Sequence, residues 1–206
     1  MEATRDPKRR AWWLKTLHRW HWISAAVCLF AMLLFSVTGI TLNHAGRIEA
    51  TPSVRTDVRE LPEALRTALE GRDGESELPA ELVRWIQSQW PVRIDGRKVE
   101  WANGEIYVSM PRPGGDGWIA VDTVTGEATW ESTDRGWIAW LNDLHKGRNA
   151  GPWWSWFIDL FAVACVLFSL TGLFLLQMHA RQRPSTWPVV GLGVLLPALI
   201  ALLLIH

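Results

Sequence analysis

Leu17-His18-Arg19-Trp20-His21-Trp22, running on through apolar residues to Phe35-Ser36-Val37-Thr38-Gly39-Ile40-Thr41-Leu42-Asn43-His44, is the stretch on which the reading of this chain turns. The phrase recurs as Leu144-His145-Lys146, then Phe168-Ser169-Leu170-Thr171-Gly172, then His179. Apolar residues concentrate at 22–42, 153–176 and 187–205, and Asp159 is the one Asp, Glu, Lys or Arg within those stretches. Each is at least about as long as the roughly 20 residues that cross hydrocarbon. We therefore expect a mainly α membrane protein with three transmembrane helices. If helix one runs outward and helix two returns, the opening His of each copy lies where the other copy's closing His emerges. The repeat predicts one histidine pair at each membrane surface.

Composition supports this placement. The chain has 206 residues, 49% of them apolar, with 15 Trp, which is rich for a soluble protein. Short flanking segments orient the helices, because positive charge stays on the cytoplasmic side. Arg5, Lys8, Arg9, Arg10, Lys15 and Arg19 precede helix one, and Arg181 and Arg183 lie between helices two and three. The expected order is a cytoplasmic basic tail (1–19), helix one (20–44), a periplasmic domain (45–142), an interfacial segment with helix two (143–180), a cytoplasmic turn (181–186) and helix three (187–206). His206 then falls outside the cytoplasm. No small-x-small site closes the first apolar run, so it reads as an uncleaved anchor in a bacterial inner membrane. Formal net charge is zero and no basic run lies beyond the tail, which gives no footprint for nucleic acid. The lipid bilayer is the first partner. Cys28 and Cys165 both fall within spans, leaving the exported domain without a disulfide.

The inserted domain reads as α+β. Leu61-Pro62-Glu63-Ala64-Leu65-Arg66-Thr67-Ala68-Leu69 has helical spacing and ends at Gly71, and a second helix opens at Pro79 and stops at Trp90-Pro91. The period then becomes two. Lys98-Val99-Glu100-Trp101 and Glu105-Ile106-Tyr107-Val108-Ser109-Met110 flank Asn103-Gly104, a strong hairpin signal. A second hairpin joins residues 117–122 to 127–130 through Thr123-Val124-Thr125-Gly126. The domain has no Ser/His/Asp set, no Cys and no His before His145, so it lacks the parts of a nucleophilic or metal-dependent hydrolase. Asp57, Glu60, Glu63, Glu70, Asp73, Glu75 and Glu77 read as a solvated acidic face.

Leu17-His18-Arg19-Trp20-His21-Trp22 with Thr38-Gly39-Ile40-Thr41-Leu42-Asn43-His44, and Leu144-His145-Lys146-Gly147 with Thr171-Gly172-Leu173, together resemble the PepSY-associated transmembrane family in a short form. The hairpin Ile119-Ala120-Val121-Asp122-Thr123-Val124-Thr125-Gly126-Glu127 resembles the end of a PepSY domain. Larger members are inner-membrane reductases that release iron from ferric siderophores in the periplasm and hold b-type haem by histidines. The resemblance implies a ferric-siderophore reductase with haem b, and the repeat raises the expected number to two bis-histidine haems per chain. No Gly-x-Gly-x-x-Gly fingerprint for flavin or nicotinamide is present, so electrons must come from a partner reductase or the quinone pool. A non-enzymatic membrane-anchored PepSY module, or an accessory subunit for metal uptake, is the rival reading.

Neutral imidazole suits haem iron, and two axial His favour electron transfer over oxygen chemistry. The repeat pairs His44 with His145 for an outer haem, and His179 with His18 or His21 for an inner one. On an ideal helix His18 is displaced by roughly 80° from His44 and His21 by roughly 140°, which favours His18 and leaves His21 as the alternative. The same histidines also suit an interfacial role beside an aromatic belt of Trp12, Trp13, Trp20, Trp22, Trp153, Trp154 and Trp156. Ser36-Thr38-Gly39 and Ser169-Thr171-Gly172 are small-residue surfaces for close helix or macrocycle approach. Asp159 is a functional candidate as an acid within a span. About 39 Å of helix separates His18 from His44, more than the roughly 30 Å hydrocarbon core. Two haems there would sit at opposite surfaces unless the helices tilt or the macrocycles lean inward, and a homodimer or an aromatic such as Phe35 or Phe168 could bridge them.

Overall fold

Three helices in the computed structural model of the protein, which describes residues 6–48, 51–69 and 77–205, are long and apolar enough to cross a membrane. They are α1 (Pro7–Asn43), α5 (Pro152–His179) and α6 (Thr186–Leu204). Pro7 and Pro152 open the first two, where the missing N–H costs no helical bond. Their apolar side chains point outward: Phe30 is 78% and Leu202 77% exposed. Helices that are apolar all round and unburied need hydrocarbon around them, so a lipid bilayer is the solvent of this part of the chain. α1 extends back through the basic segment to Pro7. Pro197 lies inside α6, a position that membrane helices tolerate. Arg5 and His206 lie outside the described residues.

Between α1 and α5 the chain forms β1 (Ser53–Glu60), α2 (Glu63–Leu69), α3 (Ala80–Gln89), β2 (Lys98–Ala102), β3 (Glu105–Ser109), β4 (Gly115–Asp122), β5 (Glu127–Asp134) and α4 (Gly136–His145). The five strands make one antiparallel sheet in the order β1-β5-β4-β3-β2. Both expected hairpins form. Asn103 and Gly104 take φ of 56° and 79°, the left-handed pair that a two-residue turn matched to strand twist requires. In the other hairpin the Asp122 carboxylate accepts the Val124 and Thr125 N–H groups at 2.8 and 2.9 Å, which holds its pKa below the ordinary carboxylate value. One sheet face carries Ile106, Val108, Ile119 and Val121, all fully buried, against Leu82 and Ile86 of α3 and Leu69 of α2.

Two elements differ from expectation. β1 pairs with β5 along its whole length although it reads as polar sequence; charges at Arg55, Asp57 and Arg59 suit an edge strand, which must not invite further pairing. α4 occupies residues expected to belong to the sheet domain and the interfacial segment. Of the acidic face, Asp57 is no free solvent group: its carboxylate accepts the Trp90 indole N–H at 2.8 Å and pairs with Arg59 at 3.0 Å. Glu60, Glu63 and Glu77 are exposed, while Glu70, Gly71, Asp73 and Glu75 lie outside the described residues.

The chain forms two compact units, one of Met1–Leu33 with Phe157–His206 and one of Leu34–Trp156. Within the second, α4 is tied to the sheet by a buried bond, the Gly114 N–H donating to Asp143 Oδ2 at 2.8 Å. Gly114 has φ of 69°, and a Cβ there would lie 2.7 Å from the Trp140 backbone. Gly114→Ala is therefore expected to push α4 off the sheet and destabilise the protein by at least about 1–3 kcal/mol. Unfolding in detergent checks this, and an unchanged melting profile would contradict it.

Candidate functional site

α1 and α5 bring three imidazoles together in the unit that contains residues 6–33 and 157–205. The rings of His18 and His179 stand 6.4 Å apart, centroid to centroid, and nearly perpendicular at 86°. His18 Nδ1 meets the Leu14 carbonyl at 2.8 Å and His179 Nδ1 the Leu175 carbonyl at 2.8 Å. A carbonyl oxygen only accepts, so each Nδ1 carries a proton, and in the neutral ring the lone pair is on Nε2. Both rings line a cavity of about 510 Å³ with His21, Phe168, Ser169, Gly172 and Arg183. That volume is in the range of cofactor sites, and Ser169 and Gly172 are the small residues in a wall that also carries Phe168, Leu173, Leu175 and Leu176.

His21 is held differently. Its Nδ1 lies 3.2 Å from the Phe168 carbonyl and 3.1 Å from Thr171 Oγ1. Thr171 commits its own proton to the Leu167 carbonyl at 2.7 Å, so its lone pairs face the ring and His21 Nδ1 donates. The imidazole stacks on Phe168 at 4.5 Å. A Cβ on Gly172 would lie 3.2 Å from His21 Cε1, so glycine permits this approach.

The other unit repeats that contact with the seat on α1 and the imidazole at the end of α4. His145 Nδ1 lies 2.8 Å from Thr38 Oγ1, which donates its proton to the Leu34 carbonyl at 2.8 Å. The ring lies 5.1 Å from Phe35, and a Gly39 Cβ would be 3.4 Å from His145 Cε1. Thr41 Oγ1 donates to Asn142 Oδ1 at 3.0 Å, fastening α4 alongside. Phe-x-x-Thr-Gly is thus a seat for an imidazole in both copies. His21, not His18, is the counterpart of His145, a correction to the equivalence that the Leu-His-basic spelling suggests.

The expected pair of His44 with His145 is not formed. His44 is exposed and its Nδ1 bonds the Ile40 carbonyl of its own helix at 3.0 Å. It follows Gly39 by five residues, about 140° round a helix, whereas His179 follows Gly172 by seven, within about 20° of the same face. His179 therefore returns to the cavity and His44 turns away from the His145 seat. Asp159 is exposed on α5. Cys28 is buried and Cys165 partly so, both as free thiols. Trp154 does more than face headgroups, its indole N–H donating to the Leu144 carbonyl at 2.8 Å beside His145. Among the described residues no group of three or more His, Cys, Asp or Glu forms a cage for an ion, so a metal held here would be held by paired imidazoles. Arg183 at the cavity was read only as a topology signal.

The pattern of the family described as putative PepSY_TM-like matches residues 12–206. The chain belongs to that family. No curated protein and no solved structure matches it. The PepSY_TM-like match takes in both histidine seats, the sheet and α6, so the third helix is part of the family pattern.

The two seats make a direct energetic prediction. Membrane helix hydrogen bonds measured by double-mutant cycles average about 0.6 and reach about 1.7 kcal/mol. A cycle of Thr171→Val with His21→Phe should give a coupling in that range, as should Thr38→Val with His145→Phe. Zero coupling in both would show that the seats are held by packing alone.

Proposed function

We propose that this protein is a bacterial inner-membrane haem b protein that passes electrons to the periplasm and reduces ferric chelates, with ferric siderophores as substrates for iron uptake. The observation that carries this reading is the His18–His179 pair, 6.4 Å apart in a roomy cavity with both Nδ1 atoms bound to carbonyls. An imidazole whose Nδ1–H is held by a backbone carbonyl presents Nε2 as a more basic, pre-oriented ligand. The donor set fits a bis-histidine haem. His18 and His179 would hold the haem iron, Gly172 and Ser169 would leave room for the macrocycle, and Arg183 would neutralise a propionate. Bound haem would supply a one-electron couple.

The remaining residues hold and shield. His21, fixed on Thr171 and stacked on Phe168, keeps a polar group with a bare Nε2 beside the pair and is placed to orient water or a propionate. Because His44 does not face His145, the geometry favours one haem per chain over two. Lys8, Arg9, Arg10 and Arg183 would put the cavity end toward the cytoplasm by the positive-inside rule. The electron donor would then be the quinone pool or a cytoplasmic-side reductase, and the sheet would face the periplasm where the chelate is reduced.

Protein purified in detergent from haem-replete cells should show a Soret band that shifts on dithionite reduction, at one haem per chain. His18→Ala and His179→Ala should each abolish it, and His44→Ala should leave it intact. A folded but colourless wild-type protein would sink the proposal and select the non-enzymatic PepSY module. Loss of the band with His44→Ala but not His18→Ala would reassign the ligands.

A further inference from the structure

The sheet's buried face does not end where its core ends. Ile119 of β4, fully buried, pairs with Trp130 of β5. Two residues along the same face, Gly117 pairs with Ser132, which also faces Arg55 of β1, and Asp134 faces Ser53. The helices cover the apolar half only. Over the polar half a cavity of about 590 Å³ opens, walled on its other side by the segment after α3 that contributes Pro91, Val92, Arg93 and Arg97.

Four arginines line this space, Arg55, Arg93, Arg97 and Arg112, against two aspartates, Asp116 and Asp134. The chain as a whole is formally neutral, so the excess is local. The carboxylates are engaged locally: Asp116 Oδ1 accepts the Gly117 N–H at 2.9 Å and Asp134 Oδ1 the Gly136 N–H at 2.8 Å. Arg112 is also held, donating to Ser132 Oγ at 3.1 Å and the Thr133 carbonyl at 3.3 Å. Among the described residues the guanidinium groups of Arg55, Arg93 and Arg97 have no hydrogen-bond or ion-pair partner. They converge on one cavity from two separate chain segments, β1 and the post-α3 loop.

We infer that this groove is a binding site for a small polyanion bearing several carboxylates. Guanidinium forks match carboxylate oxygens in pairs, while Trp130, Met110 and Val92 offer an apolar floor for the ligand's body. Resting on the reductase reading, the groove selects the substrate class: anionic carboxylate-type ferric chelates bind, and uncharged hydroxamate chelates do not.

The test uses the full chain in phosphatidylcholine nanodiscs at low salt. Calorimetric titration with citrate is expected to be saturable, with affinity that falls as salt rises. The triple variant Arg55→Gln, Arg93→Gln, Arg97→Gln should weaken it by at least about tenfold, the loss of one charge-assisted bond or more. Arg97→Gln alone should weaken it measurably, and Arg84→Gln, outside the groove, should not. Absence of saturable citrate binding, equal affinity in the triple variant, or equal affinity for a gallium trihydroxamate would overturn the inference. Loss of citrate binding when phosphatidylglycerol replaces phosphatidylcholine would assign the groove to a lipid headgroup and also overturn it. The optical spectrum of the same samples reads haem separately, so failure of the groove is distinguishable from failure of the haem reading.

Discussion

Each of the five histidines in the described residues has its Nδ1 against an oxygen that accepts, either a carbonyl one helical turn back or a threonine hydroxyl whose proton is already committed. That constraint puts a proton on every Nδ1, so the neutral form of each ring is the tautomer whose lone pair is at Nε2. It works because a helix in hydrocarbon must satisfy its own backbone, so its carbonyls are fixed in place and a fourth-residue neighbour can share one without disturbing the ladder. Chemistry at these sites is consequently chemistry at Nε2.

The same economy places His145. It sits on the last turn of α4, and α4 is held twice, by Asp143 to the Gly114 turn of the sheet and by Asn142 to Thr41 of α1. Adjacent residues thus face a sheet loop on one side and a membrane helix on the other. The sheet domain, which carries no histidine of its own between residues 45 and 144, orients the imidazole that enters the Thr38–Gly39 seat. Gly172 and Gly39 occupy the same place in the two seats: a Cβ would lie 3.2 Å from His21 Cε1 at the first, a tight fit, and 3.4 Å from His145 Cε1 at the second, an ordinary contact.

Much of the fold was legible from local chemistry. Three spans follow from the length of the apolar runs, and both hairpins from Asn103-Gly104 and from Asp122 with Gly126, because these signals act within a few residues. β1 was not legible: its short alternation of Val54 and Val58 with Arg55, Asp57 and Arg59 leaves the valines exposed, so it marks no buried face. α4 was obscured because its signal is split between two binding surfaces. The groove beyond Trp130 was invisible for another reason. Its arginines are far apart in sequence, and only strand register and the path after α3 bring them to one face.

The sequence by itself determined that two antiparallel copies of a His to Thr-Gly phrase would meet, since a bilayer forces each apolar run into a helix and each helix to return. Tertiary structure decided which histidines meet. Five residues after Gly39 and seven after Gly172 look alike as spellings, yet the helical period sends His44 away from its seat and returns His179 to the cavity beside His18. The physical reason is angular: a repeat of residue types is preserved along the chain, whereas a site is built by direction around the helix axis, and two residues of spacing turn a side chain through about 200°.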